Sequence, residues 1–564
     1  MKARNLIIML LVLSMTTALL GGCGNTNGGS NSSANGNNSS SSSKTDSSKE
    51  ESQIEGEQIG TTDDALSFAD SYLTELNVTL DGQALKVDRY IDLYLTNTTI
   101  DDQKISIYVP EGATADSPII LCVNNSGWLA NSFNSRTQVK DGQEYSSSND
   151  ADKVGEILSN NYVLVSYGAR SRNNPAVDGV YDGHAPAIIT DTKAIIRYLR
   201  YNQELLPAGN TDRIIITGTS GGGALSTVVA ASGNNADYYE SLYEVGAAGI
   251  DKEGDAYTST INDDVYGVIA YCPITDLPHA DAAYEWTYGD TRAELNAAGN
   301  ETYTTENYRY NEALSTELAD SYSAYVDALG LKLDDGEALT SANLEDAIVD
   351  LMEEEIEKTI ESTGKAQMEA DMAEKAEGAQ DWLVINDDGT FTYDYDKHLN
   401  WVASNTKLKI LCAFSNYGLN WEQGGNEDTL YGTPEQLYCP FEFYSWANDA
   451  NAGNGVGEDD LSMSFEEYLA TEEGQDLVLQ MLQTNAVGYL NGESSNESTV
   501  APYWYVRYGM NDRDSSFALE TVLRYSISNC EDITSYDFGF AWLMPHKGDY
   551  DVQEAYAWLA GVLK

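Results

Sequence analysis

Gly218-Thr219-Ser220-Gly221-Gly222 sets one serine between glycines in a G-x-S-x-G pattern. Gly and Ser are abundant enough for this pattern to arise by chance, so its surroundings decide its meaning. It follows the apolar run Arg213–Thr217 directly, and small residues continue after it. A strand that turns sharply into a helix needs small residues at the turn, and a serine at its apex projects its hydroxyl away from both elements. Such a hydroxyl is a weak nucleophile unless a base stands beside it. The chain holds only four histidines, at positions 184, 279, 398 and 546, so the candidates for that base are few.

The elements that must hold these groups can be read from hydrophobic periodicity. Continuous apolar runs occur at Lys104–Pro110, Pro118–Asn124, Tyr162–Gly168, Arg213–Thr219, Tyr266–Pro273, Tyr503–Gly509 and Phe538–Pro545. Runs of this kind fit strands buried on both faces of a mostly parallel sheet. Asp81-Gly82 between Asn77–Leu80 and Gln83–Val87 predicts an antiparallel hairpin at the start of that sheet. Helical patterns at Asp191–Arg200 and Leu225–Ala231 separate the runs and give an α/β layered fold. Residues 275–500 break the rhythm. Leu344, Ile348, Met352, Ile356 and Ile360 recur at helical spacing among acids, an amphipathic surface helix. The Lys409–Phe414 run fits a core strand or a piece of the insertion equally well. The expected organisation is an α/β-hydrolase core over 61–274 and 501–564, with a lid or cap inserted over 275–500.

In α/β hydrolases the order along the chain is serine, acid, histidine. His184 precedes Ser220, and His279 and His398 fall in the insertion, whereas His546 follows the last apolar run; His546 is the expected base. The acid should follow the penultimate core strand, where Asp512 and Asp514 both stand, Asp512 nearer the strand end. An oxyanion needs two N–H donors. Gly221 supplies one, and the loop Asn125-Ser126-Gly127 supplies the other, with Ser126 taken as the donor and Asn125 and Gly127 as alternatives.

Lys2 and Arg4, an apolar stretch from Leu6 to Leu20, and Leu20-Gly21-Gly22-Cys23 compose a signal peptide over 1–23 that resembles a bacterial lipobox, with Cys23 as the acylated residue. Residues 24–60 are Ser, Asn, Gly, Lys and Glu with almost nothing apolar, a tether that cannot fold alone. The expected location is the outer face of the cell membrane, with the lipid as the only membrane contact. Net charge is −59, from 90 acidic and 31 basic residues. That excludes nucleic acid and an anionic lipid surface as partners. Five cysteines besides Cys23, without close pairs, argue against a disulfide framework or a zinc site, and Cys122, Cys272 and Cys412 read as small buried hydrophobes. Asp387-Asp388-Gly389 lacks a full cation ligand set and reads as a solvated loop. No metal or cofactor is expected, and the chain is expected to act as a monomer.

The segments Asp191–Asn202, Gly218–Ser226, Tyr505–Phe517 and Pro545-His-Lys-Gly-Asp-Tyr-Asp551 resemble those of bacterial subtype B tannases and related feruloyl-esterase-like α/β hydrolases. That resemblance implies a serine esterase of gallate or similar plant phenolic esters, with Asp512 as the triad acid and Asp514 as an acceptor for phenolic hydroxyls. It also implies a lid glutamate in the ring pocket, matched by Glu427, and a pocket lysine, for which Lys409 and Lys407 are candidates. Two rival readings stand beside it: a peptidase on the same fold, and a lipoprotein that binds a ligand without catalysis.

Overall fold

A computed structural model describes residues 66–68, 73–133, 137–300, 310–414, 427–435 and 465–564. The expected signal peptide, Cys23 and the tether lie outside these residues, as does Cys439. Among the described residues no helix is long and apolar enough to cross a membrane.

Fourteen strands are described in chain order: β1 (Leu73–Leu80), β2 (Gln83–Asp92), β3 (Ile105–Pro110), β4 (Pro118–Cys122), β5 (Glu144–Tyr145), β6 (Val163–Tyr167), β7 (Asn210–Thr219), β8 (Ile250–Glu253), β9 (Ala256–Ser259), β10 (Gly267–Tyr271), β11 (Leu383–Ile385), β12 (Phe391–Tyr393), β13 (Tyr503–Gly509) and β14 (Ser535–Ala541). Ten of them form one sheet in the order β14-β13-β10-β7-β4-β6-β3-β2-β1-β5. From β14 to β6 every pair is parallel, and β6-β3-β2-β1 is antiparallel. The fold is α/β, a mostly parallel sheet with helices on both faces, as its continuous apolar runs imply. Asp81-Gly82 turns β1 into β2 with Leu80 opposite Gln83.

The apolar runs are continuous because both faces of the sheet are covered. Ile119, Leu121, Val163, Val165, Ile214 and Ile216 point into one core, while the residues between them, Ile120, Leu164 and Ile215, point into the other. Alternation therefore separates two buried faces instead of core from solvent. Cys122, Cys272 and Cys412 are buried free thiols, and burial pushes the Cys122 thiol up to about 12.

Among the described residues, 275–500 contribute no strand to this sheet. They supply helices, the longest being Leu277–Ala297, Glu312–Leu329 and Leu344–Thr363, and the two-stranded β11-β12 ribbon. Leu344, Ile348, Met352 and Ile356 are fully covered, the apolar stripe of an otherwise acidic helix. The Lys409–Phe414 run is no strand: it ends in a single 3-10 turn, Cys412–Phe414, with Leu411 to Phe414 buried. A short apolar run carries no period that separates strand from buried turn. Here the Ala413 N–H is taken by the Asp281 carboxylate at 2.7 Å, in place of a neighbouring strand. Asp387 and Asp388 are satisfied within their own surroundings, by Lys365 and by Thr390.

Candidate active site

Ser220 stands at the C-terminal end of β7, the middle of the parallel part, where α/β sheets open a crevice for ligands. Its backbone is at φ 61°, ψ −127°, and the helix Gly221–Ala231 begins at the next residue. A non-glycine residue at such an angle costs of order 1–3 kcal/mol, so its surroundings must hold it there. The Ser220 N–H donates to the Tyr271 carbonyl on β10, and the Ala224 N–H donates to the Ser220 carbonyl. The flanking glycines are required by space. A Cβ on Gly218 would lie 2.3 Å from the Gly222 carbonyl oxygen, and one on Gly221 would lie 2.4 Å from the Trp128 nitrogen.

His546 follows β14 and reaches both partners. Its Nε2 is 2.8 Å from Ser220 Oγ, and its Nδ1 is 2.7 Å from Asp512 Oδ2. Burial pushes the His546 imidazole pKa down, but the adjacent Asp512 carboxylate outweighs it and the pKa is raised above 6.5. Asp512 is fully buried, and its other oxygen, Oδ1, accepts the Asp514 N–H at 2.8 Å. The histidine loop is fastened from below. Lys153 pairs with Asp549 at 2.7 Å, and Tyr271 and Tyr505 donate to the two oxygens of Asp551. Gly548 packs on Thr219, where a Cβ would meet Oγ1 at 2.0 Å.

The loop expected to supply the second donor turns sharply at Gly127 and Trp128. Ser126 is exposed, and its carbonyl accepts the Leu129 N–H. Gly127 and Trp128 follow in left-handed conformations, both at φ 56°, and this turn brings their amides against Gly221. Gly127 lines the cavity beside Ser220 and Ser126 does not. Arg172 holds the Gly127 carbonyl with Nε at 2.7 Å. Gly221, at a helix N-terminus, and the Gly127–Trp128 turn thus pack against each other beside Ser220.

Above the serine lies a cavity of about 420 Å³. Lys409, Glu427 and Asp514 all line it. Lys409 Nζ lies 3.6 Å from Glu427 Oε1. Burial pushes the Glu427 carboxyl up, but Lys409 and Arg172 outweigh it and hold the pKa below its ordinary value. Burial likewise disfavours the Lys409 ammonium, and Glu427 and Asp281 more than restore it. Both groups therefore remain charged. Of the two lysine candidates, both line the cavity, and Lys409 is the one paired with Glu427.

The other histidines do different work. His398 is buried and stacked on Trp382, with Nε2 3.0 Å from Asn511 Oδ1. Burial pushes its pKa down to about 4, so it stays neutral and braces the residue before Asp512. His279 pairs with Asp276 and stacks on Tyr325, and His184 is buried before Pro186.

Two contributors escaped the sequence reading. Asp281 is buried, and desolvation, aided by Glu427 and Glu285, pushes it up to about 7 against the pull of the Ala413 N–H and Lys409. Tyr284, one turn on, donates to the Arg513 carbonyl and accepts the Lys409 N–H. The available signal was the run of Asp281, Tyr284, Glu285, Tyr288 and Arg292 at helical spacing, a polar face that is buried in the fold.

The family model BD-FAE matches residues 105–317. No match is found among curated protein sequences. Among solved structures, the chain resembles the native tannin acyl hydrolase of Lactobacillus plantarum, at 26% identity and TM-score 0.67, covering 88% of this chain and 99% of that one. A tannin acyl hydrolase in complex with ethyl gallate matches with the same identity, TM-score and coverage. The Fusobacterium nucleatum tannase shares the fold at 24% identity and TM-score 0.66, over 88% of this chain and 99% of its own.

Proposed function

We propose that this chain, which matches the BD-FAE family model over residues 105–317 and resembles tannin acyl hydrolases in structure, hydrolyses phenolic carboxylic esters, gallates foremost, through Ser220, His546 and Asp512. The observation that carries the reading is the contact of His546 Nε2 with Ser220 Oγ at 2.8 Å, on the floor of a cavity that Lys409, Glu427 and Asp514 also line. His546 removes the Ser220 proton as the oxygen attacks the ester carbonyl. The oxyanion is placed against Gly221 and the loop that packs on it, where the Gly127 and Trp128 amides lie nearest Gly221. The imidazolium, steadied by Asp512, returns the proton to the departing alcohol, and an acyl-enzyme remains. Water then repeats the sequence and frees the acid.

The ring of the acyl group is proposed to sit against Glu427, Asp514 and Lys409. Adjacent phenol hydroxyls donate, and the two carboxylates accept. A substrate without those hydroxyls leaves the lone pairs not taken by Lys409 and Arg513 unmet, which a buried site penalises strongly. Methyl gallate is therefore expected to exceed methyl benzoate in kcat/KM by about 10³-fold or more. Glu427→Gln and Asp514→Asn should each shrink that ratio at least tenfold. Equal turnover of the two esters by the wild-type enzyme would remove the phenolic clamp from this proposal.

The location rests on the lipobox-like Leu20-Gly21-Gly22-Cys23, and the enzyme is proposed to be anchored outside the cell through a lipid on Cys23. Palmitate labelling of the expressed full chain should be lost in Cys23→Ser, with the enzyme shed into the medium. Unchanged labelling would place the lipid elsewhere.

A further inference from the structure

We infer that the cavity also receives a carboxylate carried by the alcohol half of the ester, so that preferred substrates are phenolic-acid esters of hydroxy acids; this rests on the esterase reading above. The chain has 90 acidic residues against 31 basic ones. Yet the cavity lining carries three cations, Lys407, Lys409 and Arg513, against two carboxylates, Glu427 and Asp514. The balance of the whole molecule is inverted in this lining.

The pairing within the lining shows which charge is spare. Lys409 Nζ stands 3.6 Å from Glu427, and Arg513 Nε stands 3.4 Å from Asp514 Oδ1. Lys407 is exposed and has no ion pair among the described residues. Arg513 also donates to the Lys407 backbone carbonyl, which ties the lysine's segment to the loop that bears Asp514.

Exposure orders these groups by depth. The side chains of Glu427 and Lys409 are 11% and 19% exposed, Asp514 is 28%, Arg513 is 36%, and Lys407 lies further out. With the phenolic ring at the enclosed end, the alcohol half points to the open end, where the charged groups of the described lining are Arg513 and Lys407. The field of the distant surface acids is screened over about 8 Å at physiological salt, so nearby cations set the potential there. An ammonium without a partner at the edge of a partly enclosed site accepts a carboxylate and gives a neutral alcohol nothing. The acid cluster of the clamp does not compete, because Glu427 and Asp514 already have their cations.

The test compares two gallate esters of equal shape, O-galloyl lactate and its neutral amide, O-galloyl lactamide, with gallate release followed by chromatography. The wild-type enzyme is expected to favour the carboxylate in kcat/KM by about tenfold, mainly through KM, and 0.5 M NaCl should erode the preference. In Lys407→Met the preference should fall about tenfold, and in Lys407→Arg it should survive. Equal or better cleavage of the lactamide by wild type, or an unchanged ratio in Lys407→Met, overturns the inference while leaving the esterase reading intact. Failure of the wild-type enzyme to release gallate from either compound or from methyl gallate would sink the esterase reading, and this inference with it.

Discussion

Ser220→Ala is expected to lower kcat for methyl gallate by about 10⁵- to 10⁶-fold, while leaving the fold in place. The hydroxyl is the group that His546 faces, and the hydrogen bonds that hold the turn come from the backbone of residue 220. Alanine keeps those backbone contacts, so the melting temperature should stay close to that of the parent. A fluorophosphonate probe should label the parent at Ser220 and leave the variant unlabelled. Residual turnover above about 1% of the parent rate would take Ser220 out of the mechanism, since losing an attacking group costs orders of magnitude more.

Asp512→Asn is expected to cost about 10⁴-fold in kcat, for a reason visible in its two oxygens. Oδ1 accepts the Asp514 N–H and Oδ2 accepts from His546 Nδ1. A carboxamide must keep its oxygen towards the Asp514 amide, which turns its NH₂ towards His546. The imidazole then carries its proton on Nε2, the nitrogen that should receive one from Ser220. The same substitution has a pH signature. Burial lowers the His546 pKa and the Asp512 carboxylate raises it by more, so in the parent the group titrates above 6.5. The neutral imidazole is the working form. Parent kcat/KM should therefore rise with pH through a value above 6.5 and be lost below it. In Asp512→Asn the raising charge is gone and burial remains, so the limb of the residual activity should move to lower pH. Coincident limbs in the two proteins would mean that His546 and Asp512 do not act as a pair.

The serine, acid and histidine were legible because each follows a strand end, and strand ends follow from runs of apolar residues. Four histidines left few ways to be wrong. The oxyanion loop was less legible. A string of small residues offers Asn125, Ser126 and Gly127 alike as donors, whereas two successive left-handed residues at 127 and 128 bring their own amides against Gly221. No periodicity reports that. Lys409 could not be separated from Lys407 because the choice depends on how the inserted segment folds, and Asp281 was hidden as one acid among ninety. The helix Leu277–Ala297 turns polar residues onto other polar groups, as at Asp281 and Tyr284. Hydrophobic patterns are silent about such contacts.

The helix Leu277–Ala297 belongs to the inserted part of the chain, yet it grips the acid loop of the core. Tyr284 donates to the Arg513 carbonyl, Tyr288 to the Asp512 carbonyl, and Thr287 bonds Ser516. Roof and machinery are thus one joined object. An engineer who trims the roof back to the sheet, hoping for an open and promiscuous hydrolase, would also loosen the carboxylate that orients the histidine. Modular exchange of substrate range has to begin beyond this helix, in the segments that carry Lys407 and Glu427, and leave Leu277–Ala297 as part of the engine block.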